Sequence, residues 1–287
     1  MKTIIRCFII TGIWLVYSFS ANAADTLRIN LTYKYKIDAS GQPAGYMTTK
    51  QQFITPDGIF FREINFDENT GLVSNYIYRF YREHKLFTEE FYSASDSLMY
   101  IVKHAYDPKG NEIVLTHLVP KGKELIETEK TVQSYNNNVM LSCKKYIEKK
   151  PAVLTRYKYD ATGLLLSERT TCKPVANVPF KQEMKQYSYS ADHKVASINI
   201  TRKENSGKLQ SSQEKYEYNQ KGLVSSIRLL ASDGSLSGEK VYRYLDSGSP
   251  SYYEEHDATG KLTFMLQYAY RKHYMEQGTQ VSYYENL

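Results

Sequence analysis

One kind of corner recurs along this chain and limits what it can fold into. It stands in KIDASGQP (36–43), NFDENTGLV (65–73), AYDPKGNEI (105–113) and YKYDATGLL (157–165). It returns in YSYSADHKV (187–195), YEYNQKGLV (216–224) and EEHDATGKL (254–262). Five copies place Asp or Asn three residues before Gly: Asp38/Gly41, Asp107/Gly110, Asp160/Gly163, Asn219/Gly222 and Asp257/Gly260. An Asx side chain accepts hydrogen bonds from backbone N–H groups two or three residues on. The glycine then takes the left-handed conformation that sends the chain back as a hairpin. Pro108 suits the first central position of such a turn, because its φ is already fixed.

Further turn signals lie between the corners: TPDG (55–58), PKGK (120–123), ENSG (204–207), SDGS (232–235) and DSGSP (246–250). Turns therefore arrive roughly every 11–15 residues, leaving about 15–18 strands and no helix-length segment of helical period. In RINLTYKYKI (28–37), Ile29, Leu31, Tyr33, Tyr35 and Ile37 alternate with polar residues, and LTFMLQYAYRK (262–272) alternates likewise. The expected fold is all-β, an antiparallel hairpin-repeat meander forming a single domain over 24–287. So many strands accumulate twist, and no helix covers the apolar face. The sheet must curl into a rolled sheet, a barrel-like shell or a sandwich. Tyrosine serves such a sheet, and the chain has 27 of them, read here as cross-strand packing.

Tyr157, Tyr159, Asp160 and Gly163, with Tyr216, Tyr218, Asn219 and Gly222, give the corner its fullest form: Tyr-x-Tyr-Asx-x-x-Gly before an apolar strand. This resembles the YD repeat of Rhs-type bacterial proteins, in particular the short, signal-bearing versions common in Bacteroidota. Leu164 and Leu223 replace the basic residue that often follows the glycine, His256 stands where a tyrosine is expected, and the copy at 187–195 has no glycine. Long Rhs proteins form a β-shell around a toxin, so the resemblance implies a related wound sheet. This chain is too short to enclose a domain.

The first residues read as an export signal: Lys2 and Arg6, an apolar core at 7–16, then Ala21-x-Ala23 for cleavage after Ala23. That core is shorter than the roughly 20 residues of a membrane span. Removing 1–23 lowers the formal charge from +6 to +4, with both signs mixed throughout, which argues against nucleic acid as a partner. It also removes Trp14, the single tryptophan. Cys143 and Cys172 remain, either as a disulfide or as two free thiols; sequence leaves both open. An outer-membrane barrel also alternates, but it combines long outer loops with an uncharged lipid face. Here the turns are short, and Glu214 shares a face with Tyr216 and Tyr218. The chain is accordingly expected not to span the membrane.

Catalytic signals are weak. His84, His104, His117, His193, His256 and His273 stand isolated, without metal-ligand spacing. Glu254, Glu255, His256 and Asp257 cluster, but Asp257 already has the turn role. GSLSG (234–238) misses the nucleophile elbow by one position. The basic run KKYIEKK (144–150) reads as a solvated strand end leading into Pro151. No catalytic residue, cofactor or metal is assigned. The expectation is a noncatalytic binding or structural module, exported to the periplasm or cell surface, with an envelope protein or glycan as partner. The alternative is a glycan-active hydrolase with paired carboxylates in a curved β-cleft.

Overall fold

The structure is a computed structural model that describes residues 26–55, 57–276 and 279–284. The leader reading, with cleavage after Ala23, lies outside the described residues. Strands run up the chain as β1 (Thr26–Ile37), β2 (Pro43–Ile54), β3 (Phe60–Phe66), β4 (Val73–Arg82) and β5 (Lys85–Ser93). Then come β6 (Leu98–Tyr106), β7 (Glu112–Lys121), β8 (Glu124–Asn136), β9 (Val139–Ile147) and β10 (Lys150–Tyr159). They continue as β11 (Leu165–Cys172), β12 (Phe180–Tyr189), β13 (Val195–Glu204), β14 (Leu209–Tyr218) and β15 (Val224–Ala231). The last are β16 (Leu236–Tyr244), β17 (Pro250–Asp257), β18 (Leu262–Glu276) and β19 (Thr279–Tyr284). A 3₁₀ turn at Pro174–Ala176 is the only helical piece among the described residues.

Each strand pairs antiparallel with the next, and β1 pairs with β18 from Thr26↔Tyr274 to Lys34↔Leu266. That pairing closes the first eighteen strands into a barrel, so the barrel-like shell is the form the meander takes. β19 attaches to β18 over Arg271–Glu276, beyond the stretch that β17 covers. Eighteen strands about 4.8 Å apart make a ring about 27 Å across before tilt widens it, wider than side chains can fill.

The corners have one geometry. In the YKYDATGLL copy the Gly163 N–H bonds the Asp160 carbonyl (3.2 Å), and the Asp160 N–H bonds that of Leu164 (2.9 Å). Asp160 Oδ1 accepts from the N–H groups of Thr162 (2.8 Å) and Leu164 (2.9 Å), that is two and four residues on. The Thr162 hydroxyl and these N–H groups hold the Asp160 carboxyl below its usual range. Gly163 sits at φ 91°, which makes the corner a type I turn with a glycine bulge. The bulge shifts the register between Lys158 and Tyr159. Asp38, Asp107, Asn219 and Asp257 repeat the pattern with Gly41, Gly110, Gly222 and Gly260. In the copy without glycine, His193 takes the same slot at φ 59°. Gly163→Val is expected to destabilise by about 1–3 kcal/mol through φ alone, since nothing lies within 4 Å of the added Cβ. Urea denaturation measures it, and an unchanged midpoint would refute the assignment.

Asp96 fills the glycine slot in the β5–β6 turn at φ 57°, and three two-residue hairpins also turn without glycine, on Glu83-His84, Asn137-Asn138 and Glu148-Lys149, all at positive φ. The last corrects the reading of KKYIEKK as a single strand end: the run is the end of β9, a two-residue turn and the start of β10. Two successive positive-φ residues make a type I′ turn whose twist matches the flanking strands, and Glu-His and Glu-Lys carry no glycine or Asx to announce it.

Register assigns every side chain a face. The face bearing Asn30, Thr32, Gln52, Glu63, Tyr187, Ile198 and Tyr268 is the more buried and lines the recess at the β1–β18 seam, so it is the inner wall. On β18, Phe264, Leu266, Tyr268 and Tyr270 point inward, as an apolar face covered by curling requires. β1 does the reverse: Asn30, Thr32 and Lys34 face the lumen while Ile29, Tyr33 and Tyr35 face out. The outer surface of β1–β5 is consequently aromatic. Tyr33 packs edge-on against Tyr46, and Arg62 lies over Phe53, Tyr76 and Tyr78. Among the described residues no large side chain is fully buried. Cross-strand pairs and backbone ladders, rather than a packed core, hold this barrel.

Candidate functional site

The inner wall begins with the tyrosines that precede the corners. Tyr159 donates its hydroxyl to the Met140 carbonyl (3.0 Å), Tyr189 to Leu165 (2.8 Å) and Tyr218 to Val195 (2.9 Å). Tyr244 does the same to Val224 and Tyr270 to Pro250, both at 2.9 Å, and Tyr106 to Leu86 at 2.8 Å. Each acceptor lies two residues beyond the point where its ladder with the tyrosine's strand stops; the β11–β12 ladder, for example, ends at Ser167↔Gln186. Where strands splay toward a bulged corner, the phenol takes over the carbonyl that backbone pairing has left. Each acceptor also opposes the tyrosine of the preceding hairpin: Leu165 faces Tyr159, Val195 faces Tyr189, and Val224 faces Tyr218. The hydroxyls thus form a staircase around the barrel, linking hairpin to hairpin. Sequence reading assigned these rings to packing alone. For Tyr106, Tyr159 and Tyr218 the hydroxyl role was signalled by Asx as the next residue; Tyr189, Tyr244 and Tyr270 carry no such mark.

The tyrosine two residues earlier meets carboxylates. Tyr187 donates to Glu168 (2.6 Å) and Tyr216 to Glu214 (2.7 Å), while Tyr253 bonds Glu255. Burial, then these carboxylates, push all three phenols up.

Across β2–β8 the wall carries a chain of charges with one contributor per strand. Lys50 Nζ lies 3.2 Å from Glu63, whose other oxygen is 3.9 Å from Arg79. Arg79 Nε bonds Glu89 at 2.8 Å, and Glu89 approaches His104 Nε2 at 3.4 Å. His104 Nδ1 pairs with Glu112 at 2.6 Å, and Gln133 donates to Glu112 at 3.2 Å. Alternate signs on successive strands let each charge be compensated from both sides. Burial opposes the charge on His104, but hydrogen bonds to Glu89 and Glu112 and their negative charge outweigh it and raise its pKa. The His104 hydrogen bond, against burial, and the Arg79 charge hold Glu89 low. His104 therefore contributes stability that is full below its unfolded value of about 6.5 and is lost as pH rises through the raised folded value. Glu89 contributes stability present above its usual range and lost as pH falls through the lowered value. Melting temperature should fall from pH 6.5 toward pH 9, and His104→Gln should flatten that slope. An identical slope in the variant would refute the assignment.

Where β1 meets β18 the wall opens into a recess of about 590 Å³. One side is Phe264, Leu266 and Tyr268; the other is Asn30, Thr32, Gln52 and Asn65. Lys34 at its rim pairs with Glu68, and Lys50 with Glu63.

The ten Asx and Gly residues of the five corners lie on hairpin turns at both ends of the barrel; the first and last corners meet, with Gly41 and Gly260 bordering one recess and Lys261 Nζ donating to the Ala39 carbonyl (2.6 Å), while the other three stay apart. Glu254, Glu255 and His256 separate onto the two faces of β17: Glu255 points inward, whereas Glu254 and His256 point outward and approach each other at 3.3 Å. Gly238 of GSLSG lies within β16, not at an elbow. Among the described residues no group of three or more His, Cys, Asp or Glu converges on one point. The candidate disulfide is corrected: Cys143 and Cys172 are free. Cys143 faces Thr155 and Cys172 faces Val153, so β10 lies between them. Two strand spacings, about 9.6 Å, exceed the roughly 7 Å that a disulfide bridges between Cα atoms. Burial raises both thiol pKa values.

No family model matches the sequence, and no curated protein matches it. Among solved structures, similarity extends to the crystal structure of TcdB2-TccC3-Cdc42: 11% identity, TM-score 0.36, covering 85% of this chain and 14% of that one. This chain thus spans only a small part of that protein's length. A porin-like protein from Bacteroides uniformis ATCC 8492 is 10% identical at TM-score 0.39, covering 85% and 96% of the two chains. One from Bacteroides vulgatus ATCC 8482 is 11% identical at TM-score 0.31, covering 90% and 98%. At these values no site residue carries over to this chain.

Proposed function

We propose that this protein is a noncatalytic binding module of the cell envelope, exported to the periplasm or cell surface, that holds its partner against the inner wall of the barrel. One observation carries the reading: an eighteen-strand ring too wide to fill itself presents a continuous inner surface of phenol rings and compensated charges. Such a surface offers stacking faces and hydrogen bonds to an envelope glycan or protein segment. Hydrolysis by paired carboxylates is the weaker reading. It needs one carboxyl held protonated near neutrality, whereas the cationic neighbours of Glu89 hold it ionised.

The outer surface supports a barrel that does not embed in lipid. Arg156, Arg169, Lys215 and Arg228 stand exposed along the middle of β10, β11, β14 and β15, where a lipid-facing band excludes charge. Crosslinking in the native envelope, with identification of the captured species, tests the function. A protein segment or glycan joined to inner-wall residues supports it. Crosslinks confined to the outer wall, or turnover of a glycan abolished by one Glu→Gln change, overturn it.

A further inference from the structure

We propose that the recess at the β1–β18 seam is a saccharide subsite that takes a neutral, hydroxyl-rich sugar ring; this rests on the lumenal-binding reading above and gives it a ligand class. A pyranose presents an apolar C–H face and a rim of hydroxyls. The recess presents matching halves: the Tyr268 ring and the Leu266 side chain of β18 on one side, beside a Phe264 ring that Lys34 Nζ covers at 5.1 Å from its centroid, and side-chain amides on the other. Its volume of about 590 Å³ lies within the range of roughly 300–1,000 Å³ typical of small-molecule sites.

The polar groups are specific about what they accept. Asn30 Oδ1 is buried without a hydrogen-bond partner, a state that a buried acceptor rarely keeps. Asn65 donates one Nδ2–H to Asn75 and Gln52 one Nε2–H to Glu63, which leaves each a second N–H and its amide oxygen. The Tyr268 hydroxyl makes no hydrogen bond among the described residues, while burial raises its pKa. Three amide oxygens, the remaining amide N–H groups and a phenol call for a ligand whose groups both donate and accept, as hydroxyls do.

Other classes fit worse. An anion needs unpaired cations, but Lys34 is tied to Glu68 and Lys50 to Glu63. A purely apolar ligand would leave the amides desolvated and unpaired. A polypeptide adding as a strand needs a free sheet edge, and over the recess β1 is paired on both sides.

The test is titration of the full barrel with neutral gluco-, manno- and galacto-oligosaccharides and with their uronate or sulfated counterparts. Three variants accompany it, each checked by circular dichroism: Asn30→Leu, Tyr268→Phe and, four strands away on β14, Tyr216→Phe. Neutral sugars are expected to bind, with affinity falling about tenfold in Asn30→Leu and about three- to tenfold in Tyr268→Phe. Tyr216→Phe should leave it unchanged. Should Asn30→Leu fail to fold, Tyr268→Phe decides. Preference for the acidic sugars overturns the proposal, as does neutral-sugar binding that only Tyr216→Phe weakens. Failure to bind any sugar, alongside a protein segment crosslinked inside the lumen, removes this subsite and leaves the lumenal reading standing. Neither sugar nor lumenal crosslink removes both.

Discussion

Arg79→Met is expected to lower the unfolding free energy by about 2–3 kcal/mol, below the penalty for a wholly unpaired buried charge because Lys50 still flanks Glu63 and His104 still flanks Glu89. It should appear as a fall in urea midpoint at unchanged m-value. Arg79 stands between Glu63 and Glu89, and both carboxylates lose their guanidinium neighbour at once. The side chains are only 15%, 5% and 15% exposed, so water replaces little of what is removed. The cause is checked by adding Glu63→Gln and Glu89→Gln in the same chain. The triple variant should recover most of the loss, because neutral amides of similar volume need no counter-charge. A loss below about 1 kcal/mol in Arg79→Met, typical of solvent-exposed pairs, would show that the network is wet and dispensable.

The second large effect is expected from removing three hydroxyls and nothing else. Tyr159→Phe, Tyr189→Phe and Tyr218→Phe together should destabilise by about 3 kcal/mol, about 1 kcal/mol for each lost bond. The three phenols serve different hairpins and share no acceptor, so their contributions should add. Phenylalanine keeps the ring packing that sequence reading credited to these residues, which makes the triple variant a direct comparison of the two roles. A stability equal to the parent's would return the tyrosines to packing alone. Tyr268→Phe, whose hydroxyl makes no hydrogen bond among the described residues, should leave stability within about 0.5 kcal/mol of the parent.

The corners were legible because their chemistry is local. Asp160 and Gly163 satisfy each other's geometry within five residues, and no distant part of the chain has to be known. The hairpin count followed, and with it the need for the sheet to curl. Closure did not, because it depends on whether the pairing edges of β1 and β18 meet, and those lie at opposite ends of the sequence. The facing of β1 was likewise hidden. Its alternation announces two unlike faces, but the register with β2 and β18 decides which one turns inward. The charge chain from Lys50 to Glu112 takes its members one per strand, 8–16 residues apart, a spacing that carries no motif. The recess shares that limitation, since Asn30 and Tyr268 become neighbours only once the ring is shut.

The same seam sets the order of events during synthesis. Residues near 26 pair with residues near 274, so the first strand made must wait for nearly the last. Until then the growing meander carries two open backbone borders, either of which can recruit a strand from another molecule. Contacts of such long sequence separation form slowly. A nascent chain of this design depends on protection during its passage to the folded state, and its yield should respond to the supply of holding chaperones more than that of a short-range helical protein of equal length.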